Sequence, residues 1–99
     1  MRYDVSRAAR ETRLALHGSV AFEGTEALQE AIRGELDAGA ARILVDLADC
    51  PELSSMAVGL LVGFKIEASL AGRDLRLANP SDQVRRLLEI AGAAESLIE

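Results

Sequence analysis

The sequence predicts a single α/β domain over residues 1–99, with a mixed, mostly parallel sheet of four to five strands and three or more helices packed on it. Three observations predict this fold. Strand-like and helix-like segments alternate after an opening pair of strands. The apolar run "ILV" at Ile43–Val45 is typical of a central strand that is covered on both faces. A chain of 99 residues is long enough for one core and too short for two.

The first two predicted strands are Arg2–Arg7 and Thr12–Leu16, and apolar residues alternate with polar or small ones in the second. The glycine-containing stretch "HGSVAFEG" then predicts a loop. A helix over Thr25–Ala38 follows, because apolar residues recur there at every fourth position and form one stripe. These residues are Leu28, Ile32 and Leu36. Gly39 is placed to end this helix.

The second half of the chain continues the alternation. The central strand contains Ile43–Leu47, and the next helix is predicted to begin between Ser54 and Met56, to be mostly buried, and to end at Ala71–Gly72. The alternating segment Asp74–Ala78 predicts the last main strand. A third helix is capped by Ser81 or Asp82 and closed by Gly92, with four residues facing inward: Val84, Leu87, Leu88 and Ala91. Leu97 and Ile98 predict a short final element.

Composition and charge argue against several classes of partner. The net charge is −5, basic residues are scattered, and aromatic residues make up only 3% of the chain, so no basic patch or stacking row for nucleic acid is expected. The start "MRYDVSRAAR" lacks the apolar stretch of a signal peptide, and the apolar run Met56–Ile66 is too short to span a bilayer. The single cysteine, Cys50, favours a reducing, cytoplasmic setting and is interpreted as a partly buried side chain at a turn.

Catalytic chemistry is sparse in this sequence. His17 is the only histidine, and with Cys50 it lacks partners at the spacing of metal ligands, so no metal site is predicted and His17 is interpreted as structural or solvated. No nucleophile, base and orienting group occur together, and no phosphate-binding loop is present, so we expect neither an enzyme nor a cofactor.

Two sets of acidic residues leave alternatives open. Asp46 and Asp49 end the central strand, where a two-component receiver domain carries its phosphoryl-acceptor aspartate. The chain lacks that domain's acidic pair after the first strand and its lysine after the last, so turn and cap chemistry is the alternative. Acidic residues at the start of the first helix form either a solvated face or a contact for a basic partner: Glu23, Glu26 and Glu30.

The pair Ser54–Ser55 stands where a loop meets an apolar helix. A serine at this point can accept a hydrogen bond from a free N–H group of the first helical turn, so one of the two is expected to be the N-cap. The other interpretation is that one of them is a site of modification. Local physical chemistry favours the cap and does not exclude the modification.

From Leu14 to the C terminus the chain resembles the STAS family, the sulfate transporter and anti-sigma factor antagonist domains. The segments "LALHGSVAFEGTEALQEAI", "ARILVDLADCPELSS" and "AGRDLRLANPSDQVRRLLEIAG" occur in the family's order and at its spacing. The family's motif reads Asp-Ser-Ser/Thr-Gly, and its second hydroxyl is the one that a partner kinase phosphorylates. The resemblance therefore implies Ser55, rather than Ser54, as the phosphorylation site. The chain departs from the motif at three positions: Leu53 for the aspartate, Met56 for the glycine, and Val58 for the glycine two positions later.

The resemblance implies a bacterial regulator of transcription that acts by partner switching. The unmodified domain would bind an anti-sigma factor or a related serine kinase, and phosphorylation would break that contact. The implied partner-binding residues lie at one end of the sheet: Ser19, Phe22, Leu53, Ser54, Ser55 and Met56. Leu53 and Met56 would form an apolar anchor if both are exposed. The alternatives are a non-catalytic STAS subunit of an ABC-type lipid transport complex and a signalling scaffold, and a homodimer is left open.

Overall fold

The computed structural model describes residues 1–99 and bears out the predicted order of elements. Its strands are β1 (Arg2–Arg7), β2 (Glu11–His17), β3 (Arg42–Asp49) and β4 (Asp74–Ala78). Its helices are α1 (Thr25–Asp37), α2 (Ser55–Leu70), α3 (Asp82–Ile90) and α4 (Ala94–Leu97), and a 3-10 turn spans Phe22–Gly24. No helix combines the length and the hydrophobicity that crossing a membrane would require.

The four strands form one sheet in the order β1-β2-β3-β4. β1 pairs with β2 in antiparallel fashion, while β2, β3 and β4 are parallel, which confirms the predicted mixed, mostly parallel sheet. Next to β4, Ile98 adds a single parallel bridge to Leu77 and no full fifth strand. The parallel arrangement brings the C-terminal ends of β2, β3 and β4 to one edge of the sheet, from which the loops to α1, α2 and α3 leave.

The helices pack on one face of the sheet, and Ile43–Val45 of β3 is buried on both faces, as predicted. Alternate residues of β3 join all four helices in a single core cluster: Ile43, Val45 and Leu47. Leu44 points to the opposite face and is buried there outside that cluster. In the register of the sheet it lies between Arg13 and Arg76. The aliphatic stems of these arginines can cover a leucine while their charged ends stay in water.

Helix α2 is less buried than its composition predicts. It packs one side into the core, through Ala57, Val58, Leu61, Phe64 and Ala68. Its other side exposes three large apolar side chains at helical spacing: Met56, Ile66 and Leu70. The sequence does not show this division, because both sides of the helix are apolar and no polar stripe marks the exposed one.

The other helices follow their predicted patterns closely. The α1 stripe of Leu28, Ile32 and Leu36 is buried, and α3 buries Val84 and Leu88. Ala91, which was expected to face inward, is exposed because α3 ends before it and Ala91 is the C-cap residue. Gly92 follows with a φ of +71°, a conformation that glycine adopts without strain.

Candidate functional site

Two loops meet at the C-terminal edge of the sheet and form the candidate site. The first is Gly18–Ala21, after β2, and the second is Asp49–Ser54, which runs from the last residue of β3 to the N-cap of α2; we call them the two facing loops. Three backbone hydrogen bonds join them, from Gly18 N–H to the Asp49 carbonyl (2.8 Å), from Val20 N–H to the Glu52 carbonyl (3.0 Å) and from Ser54 N–H to the Val20 carbonyl (2.9 Å). The loops therefore continue the β2–β3 pairing beyond the sheet. This pairing holds the loop that contains Ser19 next to the loop that contains Ser54.

The two serines divide their roles, and Ser54 is the N-cap of α2. Its Oγ accepts a hydrogen bond from the Ala57 N–H at 3.1 Å, and its backbone is extended, as expected of a cap. Ser55 is the first residue of the helix and is exposed, so its hydroxyl is not used as the cap. The predicted start of α2 between Ser54 and Met56 is confirmed.

The start of α2 also keeps backbone donors available. The first four N–H groups of a helix have no acceptor within it. Here the Ser54 N–H donates to Val20, and the Ala57 N–H donates to the Ser54 side chain. The N–H groups of Ser55 and Met56 have no acceptor in the helix. They lie beside the exposed hydroxyl of Ser55, at the end of the helix where the helix dipole favours negative charge.

The two-residue apolar anchor expected from Leu53 and Met56 is not formed, because only one of them is exposed. Leu53 is 3% exposed and belongs to the core cluster, where it lies opposite Val20 in a parallel bridge. Met56 is 51% exposed, and Phe22, at the start of the 3-10 turn after the first facing loop, is 67% exposed. Leu53 therefore supports the site from below, while Met56 and Phe22 are the apolar side chains that a partner could contact.

A third loop fixes the second facing loop. Ser81, the N-cap of α3, accepts a hydrogen bond from the Val84 N–H at 3.1 Å and donates one from its Oγ to the Pro51 carbonyl at 2.6 Å. The cap of α3 thus holds the loop that leads to Ser54 and Ser55. The sequence marks Ser81 only as a cap, since no local pattern indicates a contact 30 residues away.

Asp46 lies on the face of the sheet opposite the helices, beside this site, and its carboxylate accepts several hydrogen bonds there. Its carboxylate accepts hydrogen bonds from Arg13 Nη2 (3.0 Å), Asn79 Nδ2 (3.1 Å) and the Ala48 N–H (3.0 Å). Burial alone would raise the pKa of Asp46, but these donors together lower it. Because both carboxylate oxygens are engaged, the geometry favours a structural role over a phosphoryl-acceptor aspartate.

His17 lies at the origin of the facing loops and bonds to two carboxylates. Its Nδ1 is 2.9 Å from Asp49 Oδ2 and its Nε2 is 2.8 Å from Asp4 Oδ2. No group of three or more histidine, cysteine, aspartate or glutamate side chains is arranged so that it could hold a metal ion. The sequence could have suggested the Asp49 contact, because His17 and Asp49 each end a neighbouring parallel strand, but nothing in it indicates Asp4.

The remaining candidate residues differ in their exposure. Cys50, expected to be partly buried, is fully buried, and burial raises the pKa of its thiol, which makes it a poor nucleophile. The acidic residues near the start of α1 are all exposed, which fits both a solvated face and a contact surface for a basic partner: Glu23, Glu26 and Glu30.

We expect the capping roles to be measurable as stability. Ser54→Ala removes the acceptor for the Ala57 N–H and should lower the free energy of unfolding by about 1 kcal/mol. Ser55→Ala should change it by less than about 0.5 kcal/mol, as is usual for exposed positions. Urea denaturation of the two variants and the wild type tests this. A larger loss for Ser55→Ala than for Ser54→Ala would contradict the assigned cap.

Comparison with known proteins gives a family match over almost the whole chain. A family model described as "Mlab, STAS domain" matches residues 3–99. A comparison with curated proteins found no significant match.

Solved structures of several anti-sigma factor antagonists have the same fold. The unphosphorylated form of the anti-sigma factor antagonist SpoIIAA superposes with a TM-score of 0.84 at 21% identity, covering 98% of this chain and 86% of that one. The phosphorylated form of the Bacillus cell fate determinant SpoIIAA gives 0.78 at 20% identity, with coverages of 98% and 89%. A putative anti-sigma factor antagonist from Thermotoga maritima gives 0.88 at 18% identity, with coverages of 97% and 83%. At these identities the likeness shows the fold alone.

Proposed function

The chain belongs to the STAS domain family, and from this premise we propose that it is a non-catalytic regulatory protein that works by partner switching. It binds an anti-sigma factor or a related serine kinase and releases that partner when Ser55 is phosphorylated. The observation that carries this proposal is the division of roles between the serines, since Ser54 caps α2 and leaves Ser55 exposed. Support also comes from structural neighbours that are anti-sigma factor antagonists.

The binding surface that we propose consists of residues from the two facing loops and the turns that follow them: Ser19, Phe22, Ser54, Ser55 and Met56. Met56 and Phe22 are the exposed apolar residues of this surface, and its other members are the serines Ser19, Ser54 and Ser55. A few well-buried apolar contacts within a polar rim supply most of the affinity in many protein interfaces. This surface therefore has the composition of a protein-binding site, in which Ser55 lies directly beside the anchor Met56.

Phosphorylation at Ser55 is compatible with the fold. A phosphoserine carries roughly −1.5 to −2 charges at pH 7. At the start of α2 it can accept hydrogen bonds from the N–H groups of Ser55 and Met56, and the helix dipole favours its charge. The modified domain should stay folded, so the cost falls on the partner complex. Binding would have to desolvate the phosphate beside Met56, or place it against the partner's own charges.

The experiment is to purify the protein with its natural partner and identify that partner. We expect an ATP-binding, kinase-like protein. Incubating the pair with ATP and locating phosphate by mass spectrometry then tests the modification, with Ser55→Ala as the blocked variant and Ser54→Ala as the neighbouring control. Phosphate on Ser54 alone would contradict the assignment of the site. No phosphate on either serine would contradict regulation by phosphorylation.

A second candidate function is that of a non-catalytic subunit in an ABC-type transport complex. The apolar side of α2 favours it, because Met56, Ile66 and Leu70 are exposed in one row with Gly59 and Gly63 between them. A long apolar helix face suits a permanent assembly better than a contact that one phosphate must break. Co-purification of transport subunits, and loss of that complex in an Ile66→Ser variant, would favour this function. A partner lost only on phosphorylation of Ser55 would reject it.

A further inference from the structure

His17 is held by carboxylates at both ring nitrogens. Nδ1 faces Asp49 at 2.9 Å and Nε2 faces Asp4 at 2.8 Å. An ionised carboxylate only accepts hydrogen bonds, and a neutral imidazole has only one N–H to donate. Both contacts can therefore be hydrogen bonds only when His17 is an imidazolium. In the neutral form, one ring lone pair would point at a carboxylate oxygen.

The charged groups around His17 come from both neighbouring strands. Asp4 and Arg2 face it from β1, where Arg2 is its direct partner in the ladder, and Asp49 faces it from the end of β3. The amino-terminal residue Met1 lines the same cleft. The hydrogen bond with Asp49, followed by that with Asp4, raises the pKa of His17 against the opposing effects of burial and Arg2.

An irregularity in the sheet aims Asp49 at His17. Ala15 lies opposite Asp46 and His17 lies opposite Asp49, so two steps along β2 correspond to three along β3. The extra residue of β3 is a β-bulge, a device that redirects side chains near functional sites. Asp46 stabilises it by accepting a hydrogen bond from the Ala48 N–H within the bulge. The position of Asp49 is thus built into the strand.

This cluster is connected directly to both facing loops. His17 immediately precedes the first loop, Gly18–Ala21, and Asp49 is the first residue of the second. The Gly18 N–H donates to the Asp49 carbonyl at 2.8 Å. The imidazolium of His17 adds a side-chain bond between the same two chain segments. The cleft beside it includes Ser19, a member of the proposed binding surface.

We propose that His17 is a pH-sensitive clamp that holds the two facing loops in their binding arrangement. This inference rests on the proposed function, because it concerns the regulation of the same surface. At pH 6 the imidazolium bonds to both ionised carboxylates, Asp4 and Asp49, and keeps the loops ordered. When the proton is lost, one of the two bonds is lost with it, the origin of the facing loops loosens, and partner affinity falls.

The direction of the pH dependence follows from the contacts. Folding raises the pKa of His17 above that of an unfolded histidine, about 6.5. The contribution of the clamp is therefore fully present below pH 6.5 or so and is lost as the pH rises through the folded-state pKa. The clamp is therefore expected to weaken as the pH rises. A buried histidine that must be neutral would have the opposite pH dependence.

The clamp can be tested on the isolated protein by NMR. His17 is the only histidine, so its ring signals are unambiguous. We expect ring nitrogens that are both protonated at pH 6, a titration midpoint above that of unfolded protein, and a lower midpoint in Asp4→Asn and in Asp49→Asn. A midpoint at or below the unfolded value, or one that neither variant changes, would overturn the clamp whether or not a partner binds.

Loop control and partner binding form the second part of the test. Between pH 6 and pH 8.5, amide protection of Gly18 and Val20, corrected for intrinsic exchange rates, should fall in the wild type and stay constant in His17→Gln. Partner affinity should fall roughly two- to fivefold over the same range, the size that exposed ion pairs reach, and only in the wild type.

A clamp that titrates as expected while protection stays constant would overturn control of the loops. Loss of protection without any change in affinity would overturn the regulatory role alone. Failure to find any partner would reject the proposed function and leave the NMR result standing.

Discussion

Ser55→Asp is expected to bind the natural partner at least about tenfold more weakly than the wild type, a loss of about 1.4 kcal/mol. The variant should keep a cooperative thermal transition, since the new carboxylate lies at the N-terminus of α2, where the helix dipole favours an anion. The loss arises in the complex, which must desolvate a charge beside the anchor Met56. Titration calorimetry or biolayer interferometry with the co-purified partner provides the measurement.

Matched controls separate charge from size at this position. Ser55→Asn has nearly the same volume as Ser55→Asp without its charge, and Ser54→Asp adds the charge one residue away while retaining a good N-cap residue. We expect both to bind more tightly than Ser55→Asp. Protein phosphorylated on Ser55 should bind more weakly still, because aspartate brings one charge and two oxygens where a phosphate brings more of both. Equal weakening by Ser55→Asn would indicate steric exclusion, and unchanged binding by phosphorylated protein would contradict the switch.

The order and approximate bounds of the strands and helices could be predicted because local patterns determine them. Alternation in β2 and β4, the stripe of α1 and the Ser caps of α2 and α3 are all short-range features, and each is confirmed. In α2 and β3, apolar residues are not confined to one face, so their sequence does not show which face packs against the helices or the core. For these two elements, only the packing shows which side of α2 is exposed and that Leu44 is buried outside the helix-covered core, between Arg13 and Arg76 in the register of the sheet.

The candidate site could be predicted in sequence position but not in its contacts. The Ser54–Ser55 pair is visible as a cap signal, while the hydrogen bond from Ser81 to Pro51 and the cluster of His17, Asp4 and Asp49 connect residues that are distant in the chain. The burial of Leu53 was equally hidden. The sequence allowed Leu53 to be part of an anchor with Met56 only if it were exposed, but its bridge to Val20 buries it beneath the loops.

Leu53→Ala should mainly lower stability and Met56→Ala should mainly lower partner affinity, although the two residues are only three positions apart. Leu53 is 3% exposed and part of the core cluster, so its truncation leaves a cavity and should lower the free energy of unfolding by about 2–4 kcal/mol. Met56 is 51% exposed, so Met56→Ala should change stability by less than about 0.5 kcal/mol but reduce partner affinity at least about tenfold, as loss of an interface anchor does.

Urea denaturation and partner titration on both variants measure the two effects separately. The control for a general effect of α2 is Leu70→Ala, because Leu70 is exposed at the far end of the same helix. If Met56→Ala bound normally while Leu70→Ala did not, the binding surface would lie along α2 and not at its start. If Leu53→Ala were as stable as the wild type, the loop would not have the packed arrangement on which the site depends.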